Sequence, residues 1–170
     1  MKPTLYNLTG LPYSGKSTLT KTLVDKFNLQ VVSVDSKIKK RGLKVDQMAQ
    51  RDWDLVYAEA YEQIKLALQS GESILFDMGN LKRSERATAQ RIAQENGADY
   101  KLIYVKTPMD EIKRRWEANV ETKERGQLSE GGLNKALEMW EEPSIEENPL
   151  VYSHGENINE WMETSLNQFS

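Results

Sequence analysis

Residues 10–17 read Gly-Leu-Pro-Tyr-Ser-Gly-Lys-Ser and match the pattern G-x-x-x-x-G-K-S, known as Walker A. They lie between a short apolar segment, Leu5 to Leu8, and an amphipathic segment that begins near Thr18. Glycines let the backbone curl so that its N–H groups converge on an anion, and the helix that follows adds the positive end of its dipole. The order of strand, loop and helix therefore predicts a phosphate-binding loop for a nucleoside triphosphate.

Two side chains of this loop have predicted roles of their own. Lys16 is expected to reach the β and γ phosphates, and Ser17 is expected to place its hydroxyl on Mg²⁺. The other predicted nucleotide contacts come from the loop and the first helical residue: Gly10, Leu11, Pro12, Tyr13, Ser14, Gly15 and Thr18. A chance match at a strand-to-helix turn is the alternative, and the agreement of position, lysine and serine disfavours it.

The composition limits the kinds of site that the chain can build. It has 170 residues, no cysteine and one histidine, His154, which we interpret as structural because nothing in the sequence pairs it with a nucleophile. Thiolate and histidine-cluster metal sites are excluded, so a metal must be held by oxygen, which suits Mg²⁺.

The length predicts one domain. Because no apolar run of about 18 residues or signal-like N-terminus is present, we expect a soluble, cytosolic protein without a membrane segment.

The charge is distributed unevenly along the chain. Residues 1–126 carry 22 Lys and Arg against 17 Asp and Glu, whereas residues 127–170 carry one lysine against nine glutamates. The two parts therefore have net charges of +5 and −8. This balance disfavours a general nucleic-acid binder, for which a high pI is expected, but it is compatible with a local site for an anion.

Apolar runs of strand length alternate with segments of helical periodicity. The predicted strands are Leu5 to Leu8, Leu29 to Val34, Ser73 to Phe76, Tyr100 to Val105 and Leu150 to Tyr152. The predicted helices are Leu19 to Phe27, Trp53 to Leu68, Ser84 to Asn96, Met109 to Asn119, Leu128 to Met139 and Ile158 to Phe169. The alternation predicts an α/β fold in which a mostly parallel sheet is covered by helices on both faces, a three-layer sandwich.

Two aspartates terminate predicted strands, at the sheet edge where α/β proteins collect their ligands. Asp35 follows the second strand and Asp77 follows the third. Phosphoryl transfer requires one group that orients or deprotonates the acceptor and another that supports the metal. We assign Asp35 as general base and Asp77 as Mg²⁺ support, with the reverse assignment left open. The alternative is that each aspartate caps the following helix.

Polar and basic residues follow Asp77 at the start of a predicted helix. Asn80, Arg83 and Arg86 are near enough to face the same cleft and are candidate substrate ligands. Basic side chains in a first helical turn oppose the helix dipole, which favours a reason beyond stability. Their alternative interpretation is a solvated first turn.

A second group of cations surrounds a predicted helix end and the loop after it. Arg115 is a candidate nucleotide contact, and Arg125, beside Gly126, is the candidate clamp for the transferred phosphate. The region of residues 119–131 is predicted to act as a short lid that excludes water. Lys113 and Lys123 are more simply explained as a charged helix face.

A third group of basic residues comes just after Asp35, where an acceptor would approach. The group consists of Lys37, Lys39, Lys40, Arg41 and Lys44. Within it, Lys39 and Arg41 are candidate ligands for an anionic acceptor such as a nucleotide or a nucleic-acid end. A solvated loop is the alternative, since charge runs usually are solvated.

Taken in order, these motifs resemble the small P-loop kinases. The resemblance rests on the loop at residues 10–17, on Asp35, on the Asp77-Met78-Gly79-Asn80-Leu81 turn with Arg86 downstream, and on Arg125-Gly126. It covers roughly residues 4–140. Within these kinases the chain looks like the branch that contains the kinase domain of phage polynucleotide kinase, zeta toxins and chloramphenicol phosphotransferase.

The resemblance implies a P-loop NTPase fold of the nucleoside-monophosphate-kinase type. Its five-stranded parallel sheet would place the loop strand next to the third strand, and its ligands would be ATP and Mg²⁺. It also implies transfer of the γ-phosphate to a hydroxyl, with Asp35 as the base and Arg125 on the transferred phosphate. One departure is the bulky Leu11-Pro12-Tyr13 filling of the loop, where such kinases often have smaller residues, and Tyr13 bears on how closely the acceptor approaches.

The functional hypothesis is therefore a phosphotransferase that moves the γ-phosphate of Mg·ATP to an acceptor hydroxyl on a small molecule or a nucleic-acid end. The alternative is an ATPase or nucleotide-dependent switch that acts through a protein partner, for which the acidic segment 127–170 would offer a surface. A pseudoenzyme that binds nucleotide structurally is a third interpretation, which the presence of Lys16, Ser17, Asp35 and Asp77 disfavours.

Overall fold

Within residues 2–166, the part of the chain that this computed structural model describes, five parallel strands form one sheet. The strands are β1 (Thr4–Thr9), β2 (Gln30–Ser33), β3 (Ile74–Asp77), β4 (Asp99–Lys106) and β5 (Leu150–Ser153). Their order across the sheet is β2-β3-β1-β4-β5, and every neighbouring pair is parallel. The strand before the phosphate-binding loop thus lies beside the third strand, as the resemblance implies.

Helices connect successive strands and confirm the predicted α/β alternation. They are α1 (Lys16–Phe27), α2 (Val34–Lys40), α3 (Gln50–Gln69), α4 (Arg83–Glu95), α5 (Met109–Thr122), α6 (Glu130–Met139) and α7 (Ile158–Ser165). The sequence predicts that the last helix continues to Phe169, and residues 167–169 lie outside the described part of the chain. Among the helices of residues 2–166, none has the length and apolar character needed to cross a membrane.

The sheet is buried on both faces. The consecutive residues Ile74, Leu75 and Phe76 of β3 are all inaccessible to solvent, although successive side chains of a strand point to opposite faces. Ile74 and Phe76 pack into a core cluster with apolar residues of α2, α3 and α4, while Leu75 packs into a second cluster with residues of α1 and α7. The molecule therefore has the three layers that the sequence predicts.

The strand register brings the candidate functional segments to one edge of the sheet. Leu8 of β1 and Ser33 of β2 both pair with Asp77, the last residue of β3. Because all strands are parallel, their carboxyl ends meet at this edge. The phosphate-binding loop, the start of α2 and the turn after β3 are thereby neighbours.

The segment after β2 differs from the prediction. Residues 34–40 form α2, whereas the sequence predicts a strand up to Val34 and no helix before Trp53. Ser33 caps the helix by accepting a hydrogen bond from the backbone N–H of Ser36 at 3.4 Å, and Val34 and Ile38 are buried one turn apart. Asp35 accordingly lies in the first turn of a helix and does not end a strand.

The acidic C-terminal segment folds back onto the basic part of the chain. Glu141 accepts a hydrogen bond from the backbone N–H of Arg83 at 2.6 Å, and Glu142 accepts one from Tyr104 at 3.0 Å. Lys106 lies 3.3 Å from a carboxylate oxygen of Glu142. These carboxylates therefore have partners within the chain.

Candidate functional site

The phosphate-binding loop depends on backbone conformations that its glycines permit. Gly15, at the start of α1, has a φ of 101° in the left-handed region, where side chains are strained. At Gly10 the restriction is steric, because an added Cβ would lie 2.8 Å from the carbonyl oxygen of Val105 and 2.9 Å from the hydroxyl of Ser14. The loop is thus packed directly against the end of β4, where no side chain fits.

Lys16 belongs to a group of four charged side chains that influence one another electrostatically. Its Nζ donates hydrogen bonds to the carbonyl oxygens of Gly10 at 2.7 Å and Leu11 at 2.8 Å. Burial of the ammonium lowers the pKa of Lys16 to about 8; the Asp77 carboxylate acts in the opposite direction, Arg125 lowers the pKa further and Asp35 raises it. The structure therefore brings the predicted Lys16, Asp35, Asp77 and Arg125 within electrostatic reach of one another.

Asp77 is half-buried at the end of β3 and receives a hydrogen bond from the hydroxyl of Thr20, 3.2 Å away. Burial raises its pKa, Lys16 and the Thr20 hydrogen bond lower it, and the nearby Asp35 carboxylate raises it again. Thr20 is not among the predicted site residues. A detectable signal exists, because Thr20 follows Lys16 by four residues and so lies one turn further along the same helical face.

The donor set suits a hard cation shared with phosphate. Ser17 is exposed in the first turn of α1, and the carboxylate of Asp77 is oriented by Thr20 of the same helix. Within residues 2–166 no group of three or more His, Cys, Asp or Glu side chains is arranged to hold a metal ion alone. Mg²⁺ needs no such group, because it usually takes one or two protein oxygens and completes its shell with water and substrate phosphates.

Arg125 lies in the connection between α5 and α6, within the region predicted as a lid. Its guanidinium carbon is 4.3 Å from the centre of the Tyr13 ring, an arrangement typical of a cation–π contact. The backbone N–H of Arg125 donates to the side chain of Asn119 at 3.1 Å, and the Asn119 amide donates back to the Arg125 carbonyl at 3.0 Å. This segment is therefore anchored both to α5 and to the phosphate-binding loop.

Arg115 lies at the rim of the same loop. It donates to the carbonyl oxygen of Tyr13 at 3.1 Å and to the carboxylate of Glu111 at 2.7 Å, and its remaining nitrogen is 3.3 Å from Nδ1 of His154. Arg115 therefore contacts the phosphate-binding loop, and its role as a nucleotide contact stays a prediction. His154, treated as structural in the sequence, follows β5 and approaches the loop through this arginine.

The predicted substrate ligands Asn80 and Arg86 are buried, and this corrects their expected place in the cleft. Asn80, in a left-handed turn with a φ of 45°, is inaccessible and donates to the side chain of Asn7 at 2.6 Å. Arg86 is 1% exposed, donates to the Asn80 carbonyl at 3.0 Å and forms an ion pair with Glu147 at 2.7 Å. Through these hydrogen bonds Asn80 and Arg86 stabilise the turn after β3 from the protein interior. Arg83 is exposed at the start of α4.

The basic group on and after α2 is partly neutralised by α3. Arg41 donates two hydrogen bonds to one carboxylate oxygen of Glu59, at 2.8 and 3.1 Å, and Lys37 donates to Gln63 at 2.8 Å. Lys39 projects from α2 into solvent. Of the two predicted acceptor ligands in this group, Arg41 therefore already has a carboxylate partner within the chain.

Known proteins resemble this chain in both sequence and fold. Residues 5–143 match the family model described as AAA domain. Over 117 residues the chain is 33% identical to the L-seryl-tRNA(Sec) kinase of Methanococcus maripaludis, an alignment that covers 64% of this chain and 43% of that protein. The alignment thus spans less than half the length of this relative.

Two solved structures share the fold over nearly their whole length. Kti12 of Chaetomium thermophilum, in complex with ADP-AlF3, superimposes with a TM-score of 0.78 at 14% identity and with coverage of 97% of this chain and 96% of that one. APS kinase CysC of Mycobacterium tuberculosis, in complex with AMPPNP and APS, gives a TM-score of 0.67 at 18% identity with coverage of 99% and 98%. At such identities the likeness concerns the fold alone. Since the family model spans most of the chain and includes the phosphate-binding loop, the chain belongs to the AAA domain family and has the fold of the small P-loop kinases.

Proposed function

We propose that this protein is an ATP-dependent kinase that transfers the γ-phosphate of Mg·ATP to an acceptor hydroxyl. The observation that carries the proposal is the proximity of two carboxylates and two cations, Asp35, Asp77, Lys16 and Arg125, at the carboxyl edge of the sheet. Hydrolysis of a nucleotide needs no second carboxylate aimed at an acceptor. A carboxylate at the start of α2, separate from the one beside α1, supports transfer to a hydroxyl.

The donor side of the reaction is assigned to the phosphate-binding loop and α1. Lys16 leaves the carbonyl oxygens of Gly10 and Leu11 to bind the β and γ phosphates. Ser17 and Asp77 would hold Mg²⁺, which neutralises charge on the phosphates when bound. Thr20 fixes the orientation of the Asp77 carboxylate.

The acceptor side is assigned to α2 and to the connection after α5. Asp35 is exposed, so an incoming hydroxyl has access to its carboxylate. It accepts the hydroxyl proton while the hydroxyl oxygen bonds to the γ-phosphorus and ADP leaves. Arg125 stabilises the negative charge on the transferred group. The region of residues 119–131, which contains the connection between α5 and α6, would cover the nucleotide as the lid.

Two classes of acceptor are compatible with this arrangement, a small molecule and a hydroxyl carried by a nucleic acid. Lys39, Lys40 and Lys44 are exposed on or just after the helix that begins beside Asp35, which suits an anionic acceptor. The relative that is 33% identical is named for a seryl-tRNA, which supports the nucleic-acid class. We therefore favour a hydroxyl attached to a nucleic acid as the acceptor.

The test is a transfer assay with γ-labelled ATP against 5′-hydroxyl oligonucleotides, seryl-tRNA, nucleosides, sugars and antibiotics. Asp35→Asn should bind Mg·ATP with unchanged affinity and lose most transfer, by about 100-fold or more, as expected for a general base. The matched control Asp46→Asn removes an exposed carboxylate from the 3₁₀ turn that follows α2 and should transfer normally. Unchanged transfer by Asp35→Asn would refute the assignment of the base. Vigorous hydrolysis with every acceptor absent, together with nucleotide-dependent binding of a protein, would favour the switch instead.

A further inference from the structure

Tyr13, in the phosphate-binding loop, has a backbone conformation that is unusual for a tyrosine. Tyr13 has a φ of 64°, in the left-handed region that glycine and asparagine adopt more easily than a large side chain. Its side chain is only 5% exposed despite its location in a ligand-binding loop. A strained backbone of this kind persists only where contacts of the residue offset the energy of the strain.

Those contacts join the loop to the segment that carries Arg125. The Tyr13 ring belongs to a small apolar cluster with Leu11 and Ile112, and partly buried side chains of α5, α6 and their connection pack against that cluster. The phenol oxygen accepts a hydrogen bond from the backbone N–H of Leu128 at 3.1 Å. The face of the ring lies under the Arg125 guanidinium, 4.3 Å from its central carbon.

The backbone of Arg125 is held by a different residue. Asn119, 4% exposed on α5, exchanges hydrogen bonds with the N–H and carbonyl of Arg125 and also donates to Gln127 at 2.7 Å. Removing the Tyr13 ring therefore leaves the main chain of the connection anchored to α5. What the ring determines is the direction of the arginine side chain.

That direction matters because Arg125 acts on the phosphate-binding loop. The positive charge of Arg125 is close enough to influence both Lys16 and Asp77. Arg125 itself is exposed, so an unsupported side chain would have many rotamers in solvent. A ring face that stacks under the guanidinium selects the rotamers that point over the loop.

We propose that Tyr13 is a positioning residue that holds the Arg125 guanidinium over the phosphate-binding loop, so that it meets the transferred phosphoryl group. The inference rests on the proposed kinase function and adds a residue through which the arginine acts. Tyr13 contributes mainly to binding of the transferring phosphate and only weakly to binding of ADP. This role accounts for a tyrosine at a loop position where similar kinases often have a smaller residue.

The experiment measures binding of Mg·ADP alone and with aluminium fluoride, an analogue of the transferring phosphoryl group, by titration calorimetry. This needs no knowledge of the acceptor. Wild-type protein should bind ADP with aluminium fluoride more tightly than ADP, since transition-state analogues bind more tightly than ground-state ligands. The gain is the ratio of the dissociation constant for ADP to that for ADP with aluminium fluoride. Tyr13→Leu retains apolar bulk but removes the ring face. It should reduce this ratio about tenfold and change the affinity for ADP at most about twofold.

Three further variants separate positioning from packing. Tyr13→Phe retains the ring face and should recover at least half of the gain that Tyr13→Leu loses. Arg125→Ala should abolish the increase in affinity that aluminium fluoride gives. Adding Tyr13→Leu to Arg125→Ala should cause no further decrease, because both substitutions remove the same interaction. Tyr13→Asn, which adopts a left-handed backbone readily, repeats the test if the leucine variant unfolds.

The outcomes distinguish this inference from the proposed function. A wild-type gain that Tyr13→Leu and Tyr13→Asn keep in full would overturn the inference and leave the kinase proposal standing. Equal losses of affinity for ADP with and without aluminium fluoride, or additive losses in the double variant, would also overturn it, because they indicate a role in packing. Absence of any gain in the wild-type protein would contradict the kinase proposal and the inference with it.

Discussion

The guanidinium of Arg86 donates hydrogen bonds to both carboxylate oxygens of Glu147, at 2.7 and 3.1 Å, across 61 residues of sequence. It donates as well to the carbonyl oxygens of Asn80 and Leu81, at 3.0 and 3.1 Å. The arginine thus links the turn after β3 to the acidic segment before β5. The geometry of the candidate site depends on this turn, because the turn begins directly after Asp77.

Removal of this arginine is expected to destabilise the fold. Arg86→Met leaves the carboxylate of Glu147 partly buried without its partner and should lower the free energy of unfolding by about 3–5 kcal/mol. Urea denaturation followed by circular dichroism measures the change. Arg91→Met removes an exposed arginine of the same helix and should change the free energy of unfolding by less than about 1 kcal/mol. Equal effects of the two variants would contradict a special role for the buried pair.

The same pair gives stability a dependence on acid. Partial burial raises the pKa of Glu147, but hydrogen bonds from Arg86 and from the Ser144 backbone outweigh it and hold the pKa below its ordinary value of 4.5. Because the folded state binds the proton more weakly than the unfolded state, this contribution is complete above about pH 4.5 and is lost as pH falls through the folded pKa.

Glu147→Gln is therefore expected to flatten the loss of stability below about pH 4.5. Unfolding free energies measured at pH 7 and pH 3 give the comparison, and Glu138→Gln on the exposed side of α6 serves as control. The wild-type protein and the control should lose more stability between the two pH values than Glu147→Gln does. A parallel decline in all three proteins would contradict the assignment.

Thr20 provides a test of how the metal is supported. Thr20→Val removes the hydrogen bond to Asp77 while it keeps the size of the side chain, and it should raise the Mg²⁺ concentration needed for ATP binding by about tenfold or more. Thr20→Ser keeps the hydroxyl and should restore most of the wild-type requirement. Thr22→Val is the control, because the Thr22 hydroxyl donates to the Thr18 carbonyl of the same helix. An unchanged Mg²⁺ requirement in Thr20→Val would indicate that Asp77 does not act through the metal.

Gly10 tests the packing of the phosphate-binding loop. Gly10→Ala places a methyl group 2.8 Å from the carbonyl oxygen of Val105 and should abolish ATP binding and destabilise the fold by about 1–3 kcal/mol. Gly131→Ala, at a position in α6 where nothing beyond the neighbouring backbone lies within 4 Å of the added Cβ, should instead stabilise by about 0.5–1 kcal/mol. Thermal unfolding and nucleotide titration of both variants check the contrast. Normal ATP binding by Gly10→Ala would contradict the close approach of loop and strand.

Much of the fold is predictable because its signals are local. An uninterrupted apolar run such as Ile74 to Phe76 indicates a strand covered on both faces, and the Walker A pattern fixes where the first strand gives way to a helix. Helix α2 has no clear signal in the sequence, because its buried face contains only Val34 and Ile38 and its lysines also suit a solvated loop.

The site is only partly predictable because some of its residues act through distant partners. The residue types that phosphoryl transfer requires are few and occur in a typical order, so the sequence predicts Lys16, Asp35, Asp77 and Arg125, and the structure places these four within electrostatic reach of one another. Asn80 and Arg86 have the residue types of substrate ligands, but their partners Asn7 and Glu147 are 73 and 61 residues away. No local pattern distinguishes such a buried polar network from a binding surface.

The two hydrogen bonds from the Lys16 ammonium to Gly10 and Leu11 mean that the loop is closed upon itself by its own lysine. When a triphosphate binds, the Lys16 ammonium exchanges the carbonyl oxygens of Gly10 and Leu11 for phosphate oxygens. The loop is already formed, so binding does not have to order it. The contribution of Lys16 to nucleotide affinity is accordingly the difference between its hydrogen bonds to phosphate oxygens and its hydrogen bonds to two peptide carbonyls, and this contribution includes no entropy cost of forming the loop.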